Sequence, residues 1–187
     1  MRVIALNGSP RKGGNTDILI DEFLRGAEES GAQCEKLYLY DYTIHPPGEL
    51  ADLHSERVDI HAGDDHRLVL NRVMDADVVV LGSPVFWQGV TSQMKCFVDR
   101  FSCHYTKDWF NEGMSGKTWA VIVPFASPDP NEFRWVTEPV KVWVKHFKGT
   151  YLGEVAVSVF AKGAVRDKPS ALQAAYELGK KAAESRG

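Results

Sequence analysis

Four short apolar runs punctuate the chain, at residues 3–6 (VIAL), 78–81 (VVVL), 119–123 (WAVIV) and 155–160 (VAVSVF). They do not alternate apolar with polar positions, so they predict strands covered on both faces. A weaker segment, 35–40, alternates through Leu37 and Leu39, the pattern of a strand nearer a sheet edge. Helical spacing lies between the runs. Ile20, Phe23, Leu24 and Ala27 fall at i, i+3, i+4 and i+7, and Met94, Phe97, Val98 and Phe101 repeat the pattern. From Phe133 the period continues through Val136, Val140, Trp143, Val144 and Phe147. Pro139 inside it predicts a kink or a helix that begins there. Leu172, Ala175, Leu178, Gly179 and Ala182 make a last helix. Strands alternating with helices predict an α/β fold: parallel strands, right-handed crossovers and helices on both faces. Open sheets of this kind bind ligands beyond the carboxyl ends of their strands, at the topological switch point. The loops that follow the apolar runs are therefore where chemistry is expected.

The remaining sequence properties narrow the class. The 187 residues suit one compact domain, 1–187, with a single core and no internal repeat. A net charge of −3 argues against a nucleic-acid partner, since phosphate binding needs a basic surface. Three cysteines, Cys34, Cys96 and Cys103, are too few for a disulfide framework and fit a reducing compartment. The apolar run at 3–6 is too short for a signal-peptide core or a membrane span. The expectation is a soluble cytoplasmic protein without a membrane partner.

The loop after the first run, residues 7–16 (NGSPRKGGNT), combines three glycines, hydroxyl and amide side chains, two cations and a helix start. Backbone N–H groups and the helix dipole make such a junction an anion cradle, and Asn15 or Thr16 is the expected N-cap. It is neither a P-loop nor G-x-G-x-x-G. The loop after the second run, 82–91 (GSPVFWQGVT), sets Phe86 and Trp87 between Pro84 and Gly89. Two rings at a strand's carboxyl end suit a flat conjugated ligand, although covering the core edge would explain them equally well.

Together, the 7–16 motif, residues 82–87 (GSPVFW) and Gln93-Met94-Lys95-x-Phe97-Val98-Asp99-Arg100 resemble the NADPH-dependent FMN reductase superfamily, nearest its iron–sulfur flavoprotein branch. The resemblance implies a flavodoxin-like, doubly wound five-stranded parallel sheet of order 2-1-3-4-5 with FMN at the switch point. It implies that Ser9, Arg11, Gly14, Asn15 and Thr16 hold the flavin phosphate. Pro84, Val85, Phe86, Trp87 and Gly89 would line the ring, with Ser127 at its pyrimidine end. Asp99 and Arg100 are expected to be structural partners. Two departures stand out. Pro47, Leu50 and Leu53 occupy the positions where the iron–sulfur members carry cysteines, which excludes a cluster on ligand chemistry. The loop at 124–130 also lacks the glycine often found there.

The segment 45–66 holds His45, His54, His61 and His66 among carboxylates, at spacings of nine, seven and five that match no recognised ligand pattern. A solvated loop without metal is expected. Cys96 and Cys103, seven apart, are expected to pack on one helical face. Residues 102–117, with His104, Tyr105, Trp109 and Phe110, are more aromatic than a plain connection needs; they could cap the flavin, meet another subunit or form a local cluster. The expected function is an FMN-dependent NAD(P)H oxidoreductase, without an obligatory catalytic side chain. It would pass hydride from NADPH or NADH to flavin and on to a small-molecule electron acceptor: a quinone, a nitro- or azo-aromatic, or free flavin. The expected assembly is a homodimer or homotetramer. A flavodoxin-type electron carrier and a pathway-specific flavoenzyme are the alternatives.

Overall fold

The computed structural model describes residues 1–48, 59 and 61–185. Five strands form one parallel sheet: β1 (Arg2–Asn7), β2 (Gln33–Tyr38), β3 (Val78–Gly82), β4 (Thr118–Phe125) and β5 (Thr150–Ser158), in the order β2-β1-β3-β4-β5. The helices are α1 (Asn15–Glu29), α2 (His66–Met74), α3 (Ser92–Asp99), α4 (Asp108–Met114), α5 (Arg134–His146) and α6 (Pro169–Glu184). This is the flavodoxin-like arrangement, and its order reverses between β1 and β3.

The period of two along a strand builds two cores from one sheet. Ile4 and Leu6 of β1 face a layer made with α2, α3, α4 and α5, while Val3 and Ala5 face a layer made with α1 and α6. β1, β3 and β4 are sandwiched between both layers, which is why their sequences read as unbroken apolar runs.

Several boundaries differ from the sequence reading. β2 covers 33–38 rather than 35–40, because Leu39–Asp41 already turn as a 3₁₀ helix. β5 starts at Thr150, five residues before its apolar run, and is not covered on both faces: it edges the sheet, with Val155 its one buried residue. Val159 and Phe160 have left the strand. α5 runs through Pro139 instead of starting there, so the Trp135 carbonyl loses its i+4 donor near solvent. Cys96 and Cys103 do not share one helix, since α3 ends at Asp99 and Cys103 lies buried in the 3₁₀ turn Arg100–Cys103. Among the described residues no helix is long and apolar enough to cross a membrane.

Candidate functional site

The loop after β1 is fixed by its own side chains. Asn7 Oδ1 accepts from the Ser9 N–H at 2.9 Å, Ser9 Oγ accepts from the Arg11 N–H at 3.2 Å, and the Gly8 N–H donates to the Gly82 carbonyl across the switch point at 2.8 Å. Gly13 takes a left-handed φ of 69° and donates its N–H to Asp17 at 2.6 Å. The N-cap of α1 is Gly14, not Asn15 or Thr16, and no side chain caps it. The first N–H groups of a helix have no intrahelical acceptor, so this end of α1 is open to an anion. A Cβ at Gly14 would stand 2.8 Å from the Arg11 carbonyl oxygen, which keeps that turn bare.

Asp17 supports the turn from behind. It is buried and accepts hydrogen bonds from Asn7 Nδ2, the Gly13 N–H, Lys36 Nζ and Tyr38 Oη. Burial pushes its carboxyl up, but the bonds from Lys36, Gly13 and Tyr38 outweigh burial and hold it below the ordinary carboxylate value. Lys36 also pairs with Asp21, and these two carboxylates raise its ammonium above the usual lysine value against the pull of burial.

The loop after β3 is pinned by Ser83 and Thr91. Ser83 Oγ accepts from the Thr91 N–H at 3.0 Å, and Thr91 Oγ1 donates to the Gly8 carbonyl at 2.6 Å. Phe86 and Gly89 exchange backbone hydrogen bonds around Trp87 and Gln88, both at positive φ (46° and 60°). Two consecutive non-glycine residues in that region define a strained type I′ turn. Its tip holds Trp87 fully in solvent.

A cleft of about 300 Å³ opens between these loops at the carboxyl ends of the strands. Ser9, Arg11, Gly14, Asn15, Thr16, Pro84, Val85 and Phe86, all candidate site residues, line it. Trp87, Gly89 and Ser127 do not. Trp87 is carried off by its turn, and Ser127 is occupied locally: its Oγ accepts from the Asp129 N–H and its carbonyl from Ser158. Pro124, Phe125 and Ala126 supply the wall next to it.

Sequence reasoning missed a third wall, Val159, Phe160, Ala161 and Lys162 after β5. The rule that chemistry follows each apolar run, applied to the last one, would have found it. Asn15 holds this wall in place: its amide donates to the Ala161 carbonyl at 2.9 Å and accepts from the Val165 N–H at 3.2 Å. The Asn15 side chain therefore positions a loop, leaving its backbone N–H for a ligand. Asn15→Ala is expected to speed proteolysis near residue 161 while leaving the strands protected in hydrogen exchange.

The other candidates are placed elsewhere. Arg100 is fully buried between Asp59 and Asp64, the structural partner expected of it. The solvated-loop reading fails for His66, which is fully buried beneath that cluster; His54, Leu50 and Leu53 lie outside the described residues. Residues 102–117 do not line the cleft. Their rings pack locally, with Trp109 against His104 and under the Arg67 guanidinium at 3.6 Å.

Residues 1–164 match the NADPH-dependent FMN reductase family. Among curated relatives, an iron–sulfur flavoprotein of Methanocaldococcus jannaschii is 36% identical over 54% of this chain and 51% of its own length. A Bacillus subtilis protein named as an NAD(P)H-dependent FMN-containing oxidoreductase is 29% identical over 54% of this chain and 52% of its own. The chain thus spans about half the length of the curated relatives it matches. In fold it is similar to a Trp repressor binding protein from Bacillus subtilis (TM-score 0.73, 21% identity, 95% of this chain and 98% of that one). It is also similar to an FMN-dependent NADH-azoreductase from Bacillus anthracis solved with FMN (TM-score 0.68, 17% identity, 99% of each chain).

Proposed function

Because the chain belongs to the NADPH-dependent FMN reductase family, we propose that it holds FMN in the switch-point cleft and serves as an NAD(P)H-dependent flavin oxidoreductase. The observation that carries this reading is the uncapped N-terminus of α1, which opens into a cleft walled by Pro84, Val85 and Phe86. A monophosphate is met there by helix-terminal N–H groups, the Ser9 and Thr16 hydroxyls and the Arg11 guanidinium. Lys162, on the far wall, adds a second cation. When bound, FMN supplies the redox chemistry, taking a hydride equivalent from NADH or NADPH and releasing electrons to a second acceptor. The protein's part is to anchor the phosphate, to wall the ring with apolar groups and to leave one side open. Phe86 and Phe160, both exposed at the mouth, offer faces on which a flat acceptor can stack. That favours a flat conjugated acceptor such as a quinone or an azo- or nitro-aromatic.

The test is the absorbance spectrum of the purified protein, followed by anaerobic addition of NADH and of NADPH. A flavin spectrum bleached by either, with heat-released cofactor migrating as FMN, is the expected result. FAD, or no flavin after reconstitution, would sink it. Flavin that is not turned over by NADH or NADPH would favour an electron carrier. Arg11→Ala is expected to weaken FMN binding by about 1.5–3 kcal/mol, the range for a hydrogen bond to a charged group. An unchanged Kd would remove Arg11 from the phosphate site. Exposed Trp87 and Phe160 also support self-association as a dimer or tetramer, which light scattering at working concentration tests.

A further inference from the structure

On the α2–α5 side of the sheet lies a second cluster that shares no residue with the cleft. Asp59, His66 and His104 each offer a ligand atom, and all three atoms lie within 4.8 Å of one another. Both histidines are more than nine-tenths buried. His66 Nε2 lies 3.1 Å from the Phe97 carbonyl, which fixes the ring proton on Nε2. Its Nδ1 lone pair is then buried with no hydrogen-bond partner, and so is His104 Nε2. His104 Nε2 stands 3.5 Å from Asp59 Oδ2, too far for a good hydrogen bond. Two orphaned imidazole nitrogens beside a carboxylate call for a common partner, because an unmet buried polar atom costs about 1–3 kcal/mol.

We propose that Asp59, His66 and His104 form a binding site for one divalent transition-metal ion of the Zn²⁺ class. Two imidazoles and a carboxylate are a common donor set for such ions, and three protein ligands leave a fourth position for water. The Phe97 carbonyl is the outer partner that ligating histidines characteristically hold, donating the far ring N–H to a backbone oxygen. Tetrahedral coordination at ordinary Zn–N and Zn–O lengths needs ligand atoms about 3.4 Å apart. His104 Nε2 and Asp59 Oδ2 already stand 3.5 Å apart. The separations of up to 4.8 Å in the cluster leave the His66 ring a short inward shift to make on binding. Burial and the neighbouring Arg100 charge lower His66 to about 4, so the ring is neutral and ready to ligate at neutral pH. Arg100 does not bar a cation. Its guanidinium is held by Asp59 at 2.6 Å and Asp64 at 2.8 Å, and two carboxylates against one guanidinium leave a negative balance. The ion would tie the connection between β2 and α2 to the end of the turn after α3.

The experiment is equilibrium dialysis of the full chain against Zn²⁺ with metal analysis, alongside chelator competition for Kd and the visible spectrum with Co²⁺ in place of Zn²⁺. One ion per chain is expected, with a four- or five-coordinate Co²⁺ spectrum. His66→Gln, His104→Asn and Asp59→Asn should each weaken binding by at least the roughly 10–100-fold that loss of outer-shell partners costs. His45→Ala should not. Asp59 is only partly buried, so its variant stays informative if His66→Gln fails to fold. Absence of stoichiometric Zn²⁺, or binding lost in His45→Ala and retained in His104→Asn and Asp59→Asn, overturns the proposal.

Discussion

Gly179→Ala is expected to destabilise the protein by at least about 3 kcal/mol, the upper range of overpacking costs. A Cβ at Gly179 on α6 would stand 1.9 Å from the Phe23 carbonyl oxygen of α1, and one at Gly26 would stand 2.1 Å from the Tyr176 carbonyl oxygen. The two helices touch backbone to backbone through reciprocal glycines. Neither obstructing atom can swing aside, because each carbonyl belongs to a helix. The methyl must instead push α6 away from α1 and open the layer that buries Phe23, Ala27, Ala175 and Ala182. Gly113→Ala is the control. Its Cβ would meet Met74 Sδ at 2.5 Å and Met74 Cγ at 2.9 Å, side-chain atoms that a change of rotamer can move where a helix carbonyl cannot. The expected cost is about 1–2 kcal/mol, less than that of Gly179→Ala. Urea unfolding of both variants decides it, and equal midpoints would contradict the close helix contact. Because α1 begins at the phosphate turn, Gly179→Ala should also loosen FMN although it lies on a different helix.

The same contrast between local and long-range constraint explains what the sequence could reveal. Strands β1, β3 and β4 were legible because each is buried on both faces, and burial writes itself as an unbroken apolar run. The edge strands were legible only in part: an edge strand was read at 35–40 and a doubly covered strand at 155–160, where the strands run over 33–38 and 150–158. β2 carries Glu35 and Lys36, and Lys36 is tolerated there only because it meets Asp17 and Asp21 from α1. β5 opens on Thr150, Tyr151, Gly153 and Glu154, which read as a loop. The cradle was legible because glycines, hydroxyls and cations sit together in ten residues. Its outer wall at 159–162 was legible as a loop after the last apolar run, but its attachment to Asn15 across 146 residues leaves no local mark. Trp87 and Gln88 carry no sequence mark of a type I′ turn, which usually shows glycine or asparagine, so the outward swing of Trp87 could not be foreseen. Nor could the pairing of Arg100 with Asp59 and Asp64, because buried ion pairs follow no period.

Asp17→Asn is expected to weaken FMN binding by about 10–100-fold and to cost about 2–3 kcal/mol of stability. Asp17 is a positioning residue, not a phosphate ligand: four donors converge on its two oxygens, and one of them is the Gly13 N–H that sets the left-handed turn of the cradle. An asparagine keeps the shape but turns one acceptor into an NH₂ group facing donors, and it leaves Lys36 with Asp21 alone. The negative charge of Asp17 does not repel the phosphate strongly, because Lys36 neutralises it at 2.8 Å. The pH dependence separates this role from general damage. The carboxyl is held below its usual 3.8 in the folded protein, so its contribution is complete above that pH and is lost only as pH falls further, through the lowered folded value. Flavin fluorescence should therefore report release of FMN below pH 3.8 in the parent chain. The Asp17→Asn variant should bind weakly throughout and lack that acid-dependent step. A parent and a variant that release FMN at the same pH would assign the acid step to another carboxylate. They would leave Asp17 holding Lys36 and Tyr38 in place without control of the cradle.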